Sequence, residues 1–257
     1  MVVGVHNPKG GTGKTTTAVN VAAVLAAMGR RVVLIDLEPY AAASISLGVA
    51  PADLRPSMAD VLLGHTRIQD AVRPVPGIGM LQLLTGSPGL MDIDRALTQA
   101  RAPERRLADV IRPLGTAYDV VIIDAPNGFS LLSHSVPYAS EHLLVPVPPS
   151  YLPLEGLAQY LRWYQALRMR RRGLATLLGI VLTQVHYGAA ATREVVDMIR
   201  AHNRDGVFDT EIPRDPRAAE APSHGVPVTI YAPRSAAAAA YGRLAREMRQ
   251  RLSRRAR

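Results

Sequence analysis

The sequence predicts an α/β protein with a mostly parallel, doubly wound sheet and helices on both faces. Three observations carry this expectation. Short runs of β-branched and aliphatic residues recur at 1–6, 31–36, 80–86, 118–124, 141–147 and 177–184, mostly continuous rather than alternating, as strands buried on both faces are. Segments of helical period or helix-forming composition separate them, as crossovers between parallel strands require. Two of the runs end in a carboxylate, Asp36 and Asp124. That places charge at C-terminal strand ends, where ligands collect in open α/β sheets.

Composition narrows the class. At 257 residues the chain fits one large domain, 1–257, with an Arg-rich C-terminal helix or tail at about 235–257. Apolar content of 48% is ample for a core, but aromatics are only 5%, so aliphatic and alanine packing must fill it. There is no cysteine, which excludes disulfides, thiolate zinc sites and cysteine-ligated iron–sulfur clusters. The first strand starts at the N-terminus, leaving no room for a leader, and no apolar stretch approaches the roughly 20 residues of a membrane span. A cytoplasmic protein is expected. The net charge of +9 points either to a polyanionic partner, nucleic acid or an anionic membrane surface, or simply to solubility.

The first strand opens into Asn7-Pro8-Lys9-Gly10-Gly11-Thr12-Gly13-Lys14-Thr15-Thr16-Thr17, followed by an alanine-rich helix at 18–28 closed by Gly29. Strand, glycine-rich turn and helix form the context of a P-loop, in which backbone N–H groups converge on an anion at a helix N-terminus. Gly10, Gly11 and Gly13 let the backbone curl around phosphate oxygens, Lys14 reaches the β- and γ-phosphates, and the Thr15 hydroxyl is placed for Mg²⁺. The fit departs from the general G-x-x-x-x-G-K-[ST] pattern at Pro8. Of the 30 basic residues, 28 are arginine and the two lysines, Lys9 and Lys14, both lie in this turn. A compact ammonium suits a crowded phosphate pocket better than a planar guanidinium does.

The stretch from Lys9 to Thr16 resembles the deviant Walker A box of the ParA/MinD ATPases, in which a second lysine precedes paired glycines. The resemblance implies ATP and Mg²⁺ as cofactors, with Lys9, Gly10, Gly11, Thr12, Gly13, Lys14, Thr15 and Thr16 on the nucleotide. The absence of cysteine closes the iron–sulfur branches that share this loop. Next in order, the strand at 31–36 continues Asp36-Leu37-Glu38-Pro39-Tyr40, which resembles the family's D-x-D-P-Q with Glu38 for the second Asp and Tyr40 for Gln. By resemblance the first acid lies near the metal and the second orients the attacking water, making Lys9, Lys14, Asp36 and Glu38 the catalytic candidates. Residues 41–76 read as short helical pieces, Ser57 capping one at 57–63. Then come a strand at 80–86 and helices at 87–100 and 103–115.

The strand at 118–124 ending in Asp124 has the Walker B pattern, a buried strand delivering a carboxylate to the Mg²⁺ shell. It resembles Y-D-x-x-I-I-D-x-P-P, with Asn127 where the second proline stands. The metal set is therefore Thr15, Asp36 and Asp124. After the strand at 141–147 a helix is expected over 151–172, then a strand at 177–184 and a helix at 190–203. Arg168, Arg170, Arg171 and Arg172 at the end of the first of these helices suit either the helix dipole or DNA. Phe208 to Asp215 and Glu220 to Val228 resemble the ParA boxes I-P-R and E-A-P-S-H-G-x-P, which favours ParA over MinD. In relatives the former lies against adenine, so Pro213, Arg214 and Asp215 are the base-binding candidates. The arginine that many ParA proteins carry just after the strand ending L-T has no counterpart at 185–189. Arg193, Arg243, Arg246 and Arg249 are the DNA candidates in its place, and His186 and His224 read as structural.

The helix at 235–257 carries Leu244, Met248 and Leu252 as a thin apolar stripe without Phe or Trp, which suits DNA phosphates or a solvated tail better than a bilayer. The resemblance implies a homodimer on ATP binding, non-specific DNA as the surface bound, a ParB-like activator or cargo adaptor, slow hydrolysis and nucleoid association. A ParA-like positioner of a protein cargo, or a MinD-like membrane ATPase, are the alternatives.

Overall fold

The computed structural model describes residues 1–98, 101–171, 173–188, 190–203 and 206–255. The strands are β1 Val2–Val5, β2 Val32–Asp36, β3 Arg73–Pro74, β4 Leu81–Leu84, β5 Val120–Asp124, β6 His142–Val147 and β7 Thr176–Leu182. They form one sheet in the order β3-β4-β2-β5-β1-β6-β7, parallel throughout except for β3, which runs antiparallel at the edge. The chain thus winds outward from β1 in both directions, the predicted doubly wound arrangement. Every residue of β2 and β5 is buried, which is why both runs are continuously apolar.

Alternate strand residues feed opposite layers. Val32 and Leu34 join a core with helices Lys14–Ala27 and Ala236–Arg255, whereas Val33 and Ile35 join one with Met58–Leu62, Arg106–Ile111 and Leu131–Ala139. A third cluster packs β6 and β7 against Tyr151–Arg170 and Ala190–His202. The strand register matters for function: Asp36 pairs with Asp124, and Asp124 with Val5. Three strand ends are therefore level, and the turn after β1 sits beside both acids.

Several elements differ from the sequence expectation. The helix expected over 87–100 is a 3₁₀ turn, Pro88–Asp92, followed by Ile93–Leu97, and residues 99–100 lie outside the described chain. The one expected over 103–115 is broken into Pro103–Arg105, Arg106–Ile111 and Leu114–Ala117. Pro113 separates the last two of these pieces. Helix Leu131–Ala139 has no counterpart in the sequence reading, because Pro137 lies within it. Its N-terminus is capped by the Ser130 hydroxyl and by a distant residue, Asp94, whose carboxylate accepts from the N–H groups of Leu131 and Leu132. Ser57 does cap its helix, in a capping box with Asp60.

The C-terminal helix is welded to the body. Tyr241, Leu244, Ala245 and Met248 are buried against the layer that holds Lys14–Ala27. Glu247 accepts from the N–H groups of Asp209 and Thr210 at 2.9 Å each and pairs with Arg251, whose guanidinium lies 4.0 Å from the centre of the Phe208 ring. Arg251 is thus a structural arginine. Of the apolar stripe weighed as a membrane face, Leu244 and Met248 are buried and Leu252 is half-buried against the same layer. Arg257 lies outside the described residues.

The box around Gly225 has a backbone reason. Gly225 has φ +65°, and a Cβ there would sit 2.7 Å from the Cα of Gly48, itself at φ +83°. Gly77, at φ +76°, has nothing within 4 Å of a Cβ position. Gly225→Ala should therefore cost clearly more than Gly77→Ala, about 2 kcal/mol or more against about 1 kcal/mol, in urea unfolding. Equal costs would show that backbone conformation alone, not the Gly48 contact, sets the requirement.

Candidate nucleotide site

The turn between β1 and helix Lys14–Ala27 is held by its carbonyl groups. Pro8 O accepts from Gly128 N at 2.7 Å, Gly11 O from Gln184 Nε2 at 2.8 Å, and Thr12 O from Thr183 Oγ1 at 2.8 Å. Lys9 O accepts from Lys14 Nζ and from the Thr12 hydroxyl, both at 3.3 Å. In a trans peptide the N–H opposes the C=O, so tying the Gly11 and Thr12 oxygens to the segment after β7 directs the N–H groups of Thr12 and Gly13 the other way, toward the cleft. Gly11 at φ +72° and Gly13 at φ +86° make the reversal, and Gly13 is the N-cap of the helix. Buried Asn7 anchors the start of the turn, donating to Pro146 O and accepting from Lys9 N. The result is an anion-binding nest at a helix N-terminus.

Lys14 lies buried within this nest, its Nζ 2.7 Å from Asn127 Oδ1. Burial lowers its pKa, while Asp124 and Glu38 pull it back up. Behind it His6 bridges the Tyr160 hydroxyl and Ser133 Oγ, and burial, with Lys14 next in importance, pushes its pKa down to about 3. His6 is therefore a neutral prop for the turn. Lys9 leans the other way: its Cδ lies 3.7 Å from the Cβ position of Gly156, on helix Tyr151–Arg170.

The two strand-end acids differ in their partners. Asp36 accepts from Glu38 N at 3.0 Å and from Ser44 N and Oγ at 2.8 and 2.7 Å, so its oxygens organise the turn after β2. Both oxygens of Asp124 are buried without a hydrogen bond of ordinary geometry. Burial, followed by the adjacent Asp36 carboxylate, raises the Asp124 pKa well above the usual range, against the opposing pull of the Thr15 hydroxyl and Lys14. A buried acid of this kind is stabilised by a cation. Thr15 and Asp124 accordingly fit a divalent ion that takes its remaining ligands from phosphate and water. Asp36, also expected on the metal, stands behind them as the more fully engaged carboxylate. Glu38, only 9% exposed, accepts from the Asn127 amide.

A cleft of about 460 Å³ adjoins the turn, lined by Gly13, Thr16, Thr183, Gln184, Pro213 and Arg214. The predicted base-binding segment is thus brought beside the nest. Asp215 also borders the cleft, but its carboxylate is engaged, accepting from Arg217 N at 3.0 Å and Ala237 N at 3.1 Å. The Asp215 side chain caps the short helix Pro216–Glu220. Sequence reasoning assigned no role to Thr183 or Gln184, and no signal in the chain announces that Gln184 adopts φ +55°. Asn127 was visible only as a departure from a pattern.

The candidate DNA residues lie away from this cleft. Arg243, Arg246 and Arg249 are exposed on the C-terminal helix, and exposed Arg193 stacks 5.8 Å from the centre of the Tyr187 ring. Arg168, Arg170 and Arg171 are exposed at the end of helix Tyr151–Arg170, and Arg172 lies outside the described residues.

Comparison with known proteins places this geometry. A family profile described as an AAA domain matches residues 1–175. The sporulation initiation inhibitor protein Soj of Bacillus subtilis is 33% identical over 247 residues, covering 96% of this chain and 97% of that protein. The chromosome-partitioning ATPase Soj of Thermus thermophilus is 37% identical over 250 residues, covering 97% and 96%. Among solved structures, the septum site-determining protein MinD of Pyrococcus horikoshii, complexed with Mg-ADP, superposes with a TM-score of 0.76 at 28% identity, covering 96% of this chain and 94% of that one. With its lysine-bearing turn, its level strand-end acids and relatives matched nearly end to end, the chain belongs to the Soj/ParA family of partition ATPases.

Proposed function

We propose that this chain is an ATP-driven molecular switch that dimerises on ATP, binds DNA without sequence preference and positions chromosome or plasmid DNA. A ParB-like partner stimulates its slow hydrolysis. The observation that carries the reading is the pair of lysines in one turn, Lys14 buried in the nest and Lys9 leaning outward over Gly156. Lys14 and the N–H groups of Thr12 and Gly13 bind the phosphates of the subunit's own nucleotide. Lys9 is free of the nest and reaches the phosphates of the twin subunit, where its charge offsets the repulsion that otherwise keeps two triphosphates apart.

Thr15 and Asp124 are the residues that would hold Mg²⁺, whose chemistry there is to neutralise phosphate charge. Asp36 orients the turn that carries Glu38, and Glu38 orients the attacking water as its general-base contact. Pro213, Arg214 and Gln184 flank the base. The described chain acts as one switching unit, and its arginines carry the DNA contact. The burial of Leu244 and Met248 favours DNA over lipid, because it takes up the apolar face that the C-terminal helix would lay in a bilayer. Nucleoid association in the cytoplasm follows from the DNA contact.

Lys14→Ala should abolish binding of a fluorescent ATP analogue, whereas Lys9→Ala should bind it and stay monomeric by light scattering. A Lys9→Ala dimer formed with ATP would remove the trans role of this lysine. For the DNA surface, Arg243→Ala/Arg246→Ala should lower DNA co-sedimentation in the presence of ATP and reduce the slope of log affinity against log salt by about 2. Unchanged DNA binding, or binding to anionic vesicles alone, would move the contact elsewhere or replace DNA by lipid.

A further inference from the structure

Glu38 leaves β2 and Asn127 leaves β5, and the pairing of Asp36 with Asp124 sets these two exits side by side. The Asn127 side chain spans the gap between them. Its Nδ2 donates to Glu38 Oε1, its backbone N–H donates to Glu38 Oε2 at 3.4 Å, and its Oδ1 accepts from Lys14 Nζ at 2.7 Å. The neighbours dictate the orientation of this amide. An ammonium can only donate and a carboxylate can only accept, so the oxygen faces Lys14 and the nitrogen faces Glu38. Both carboxylate oxygens of Glu38 are thereby held by one residue. The same amide oxygen lies 3.5 Å from the Cβ position of Gly10, so Asn127 also rests on the turn itself.

A cation at one end of an amide and an anion at the other polarise it, and both hydrogen bonds are charge-assisted. A proline at position 127 would offer neither the backbone N–H nor the side-chain donor. Glu38 is one methylene longer than aspartate, with one more torsion to restrain. Two of the departures from the family pattern, at 38 and 127, are in direct contact.

We propose that Asn127 is a positioning residue for hydrolysis: through a single amide it locks Glu38 in place relative to Lys14 and the phosphate turn. It acts through Glu38 and need not touch substrate. The inference rests on the reading of the turn as a triphosphate site and of Glu38 as the acid that orients water.

The test is steady-state ATP hydrolysis by the full chain with Mg²⁺, with binding of a fluorescent ATP analogue measured in parallel. The variants are Asn127→Asp, Asn127→Ala, Glu38→Ala and the double Glu38→Ala/Asn127→Ala. Asn127→Asp preserves shape and the Lys14 contact while turning an oxygen toward Glu38, so it isolates the donor should Asn127→Ala fail to fold. Loss of a charge-assisted hydrogen bond that acts only on the reacting geometry should lower kcat about tenfold or more, with KM within about threefold of wild type. The double variant should be no slower than Glu38→Ala, since the amide would have nothing left to hold. Wild-type kcat in both Asn127 variants beside an impaired Glu38→Ala would overturn the proposal, as would losses that multiply in the double variant or a raised KM at unchanged kcat. A Glu38→Ala variant that hydrolyses at the wild-type rate would instead remove the role of Glu38 itself, and a Lys14→Ala variant that still binds the analogue would remove the triphosphate reading.

Discussion

The site depends on carbonyl oxygens being held away from it. A loop of short and glycine residues has no intrinsic reason to present its N–H groups in one direction. Here Gly128 N, Thr183 Oγ1 and Gln184 Nε2 take up the oxygens of Pro8, Thr12 and Gly11. These donors come from the exits of β5 and β7, so the nest forms only once the sheet has assembled. Binding an anion then requires little rearrangement of the backbone, because the turn is ordered by the fold rather than by the ligand.

Charge is concentrated at the same place. Level strand ends bring Asp36, Asp124 and Lys14 together in surroundings that exclude water, with Glu38 at their edge. Each acid is stabilised differently. Ser44 and the Glu38 N–H satisfy Asp36, Asn127 satisfies Glu38, and the Asp124 oxygens are left without ordinary hydrogen bonds. Burying an ionised carboxylate is costly unless it is paired, so the arrangement is suited to a divalent cation and a polyanion entering together. The neutral His6 beneath Lys14 adds no positive charge to those of Lys9 and Lys14.

The C-terminal helix, which packs on helix Lys14–Ala27, has two roles for one residue type. Arg251, clamped between Glu247 and the Phe208 ring, ties the helix to the segment that follows helix Ala190–His202. Arg243, Arg246 and Arg249 face solvent on the same helix. A run of arginines is therefore not a uniform basic tail, because helical geometry turns some toward the core and others outward.

Much of this was legible in the chain. Continuous β-branched runs, the lysine-bearing glycine turn and the two strand-end acids determined the fold class, the family and the position of Lys9, Lys14 and Asp124, because these rest on local periodicity and on short-range spacing. What lay beyond reach depended on residues far apart in sequence. Helix Leu131–Ala139 is capped by Asp94, and Gln184 folds back onto Gly11. The Asp215 carboxylate, at the border of the cleft, is taken up by the N–H of Ala237, and Asn127 meets Glu38 across 89 positions. The sequence by itself determined which groups exist and the strand ends that carry them. Only the tertiary structure decided which of their hydrogen-bonding atoms are already satisfied, since a partner's identity is set by strand register and loop packing, and no local pattern encodes either.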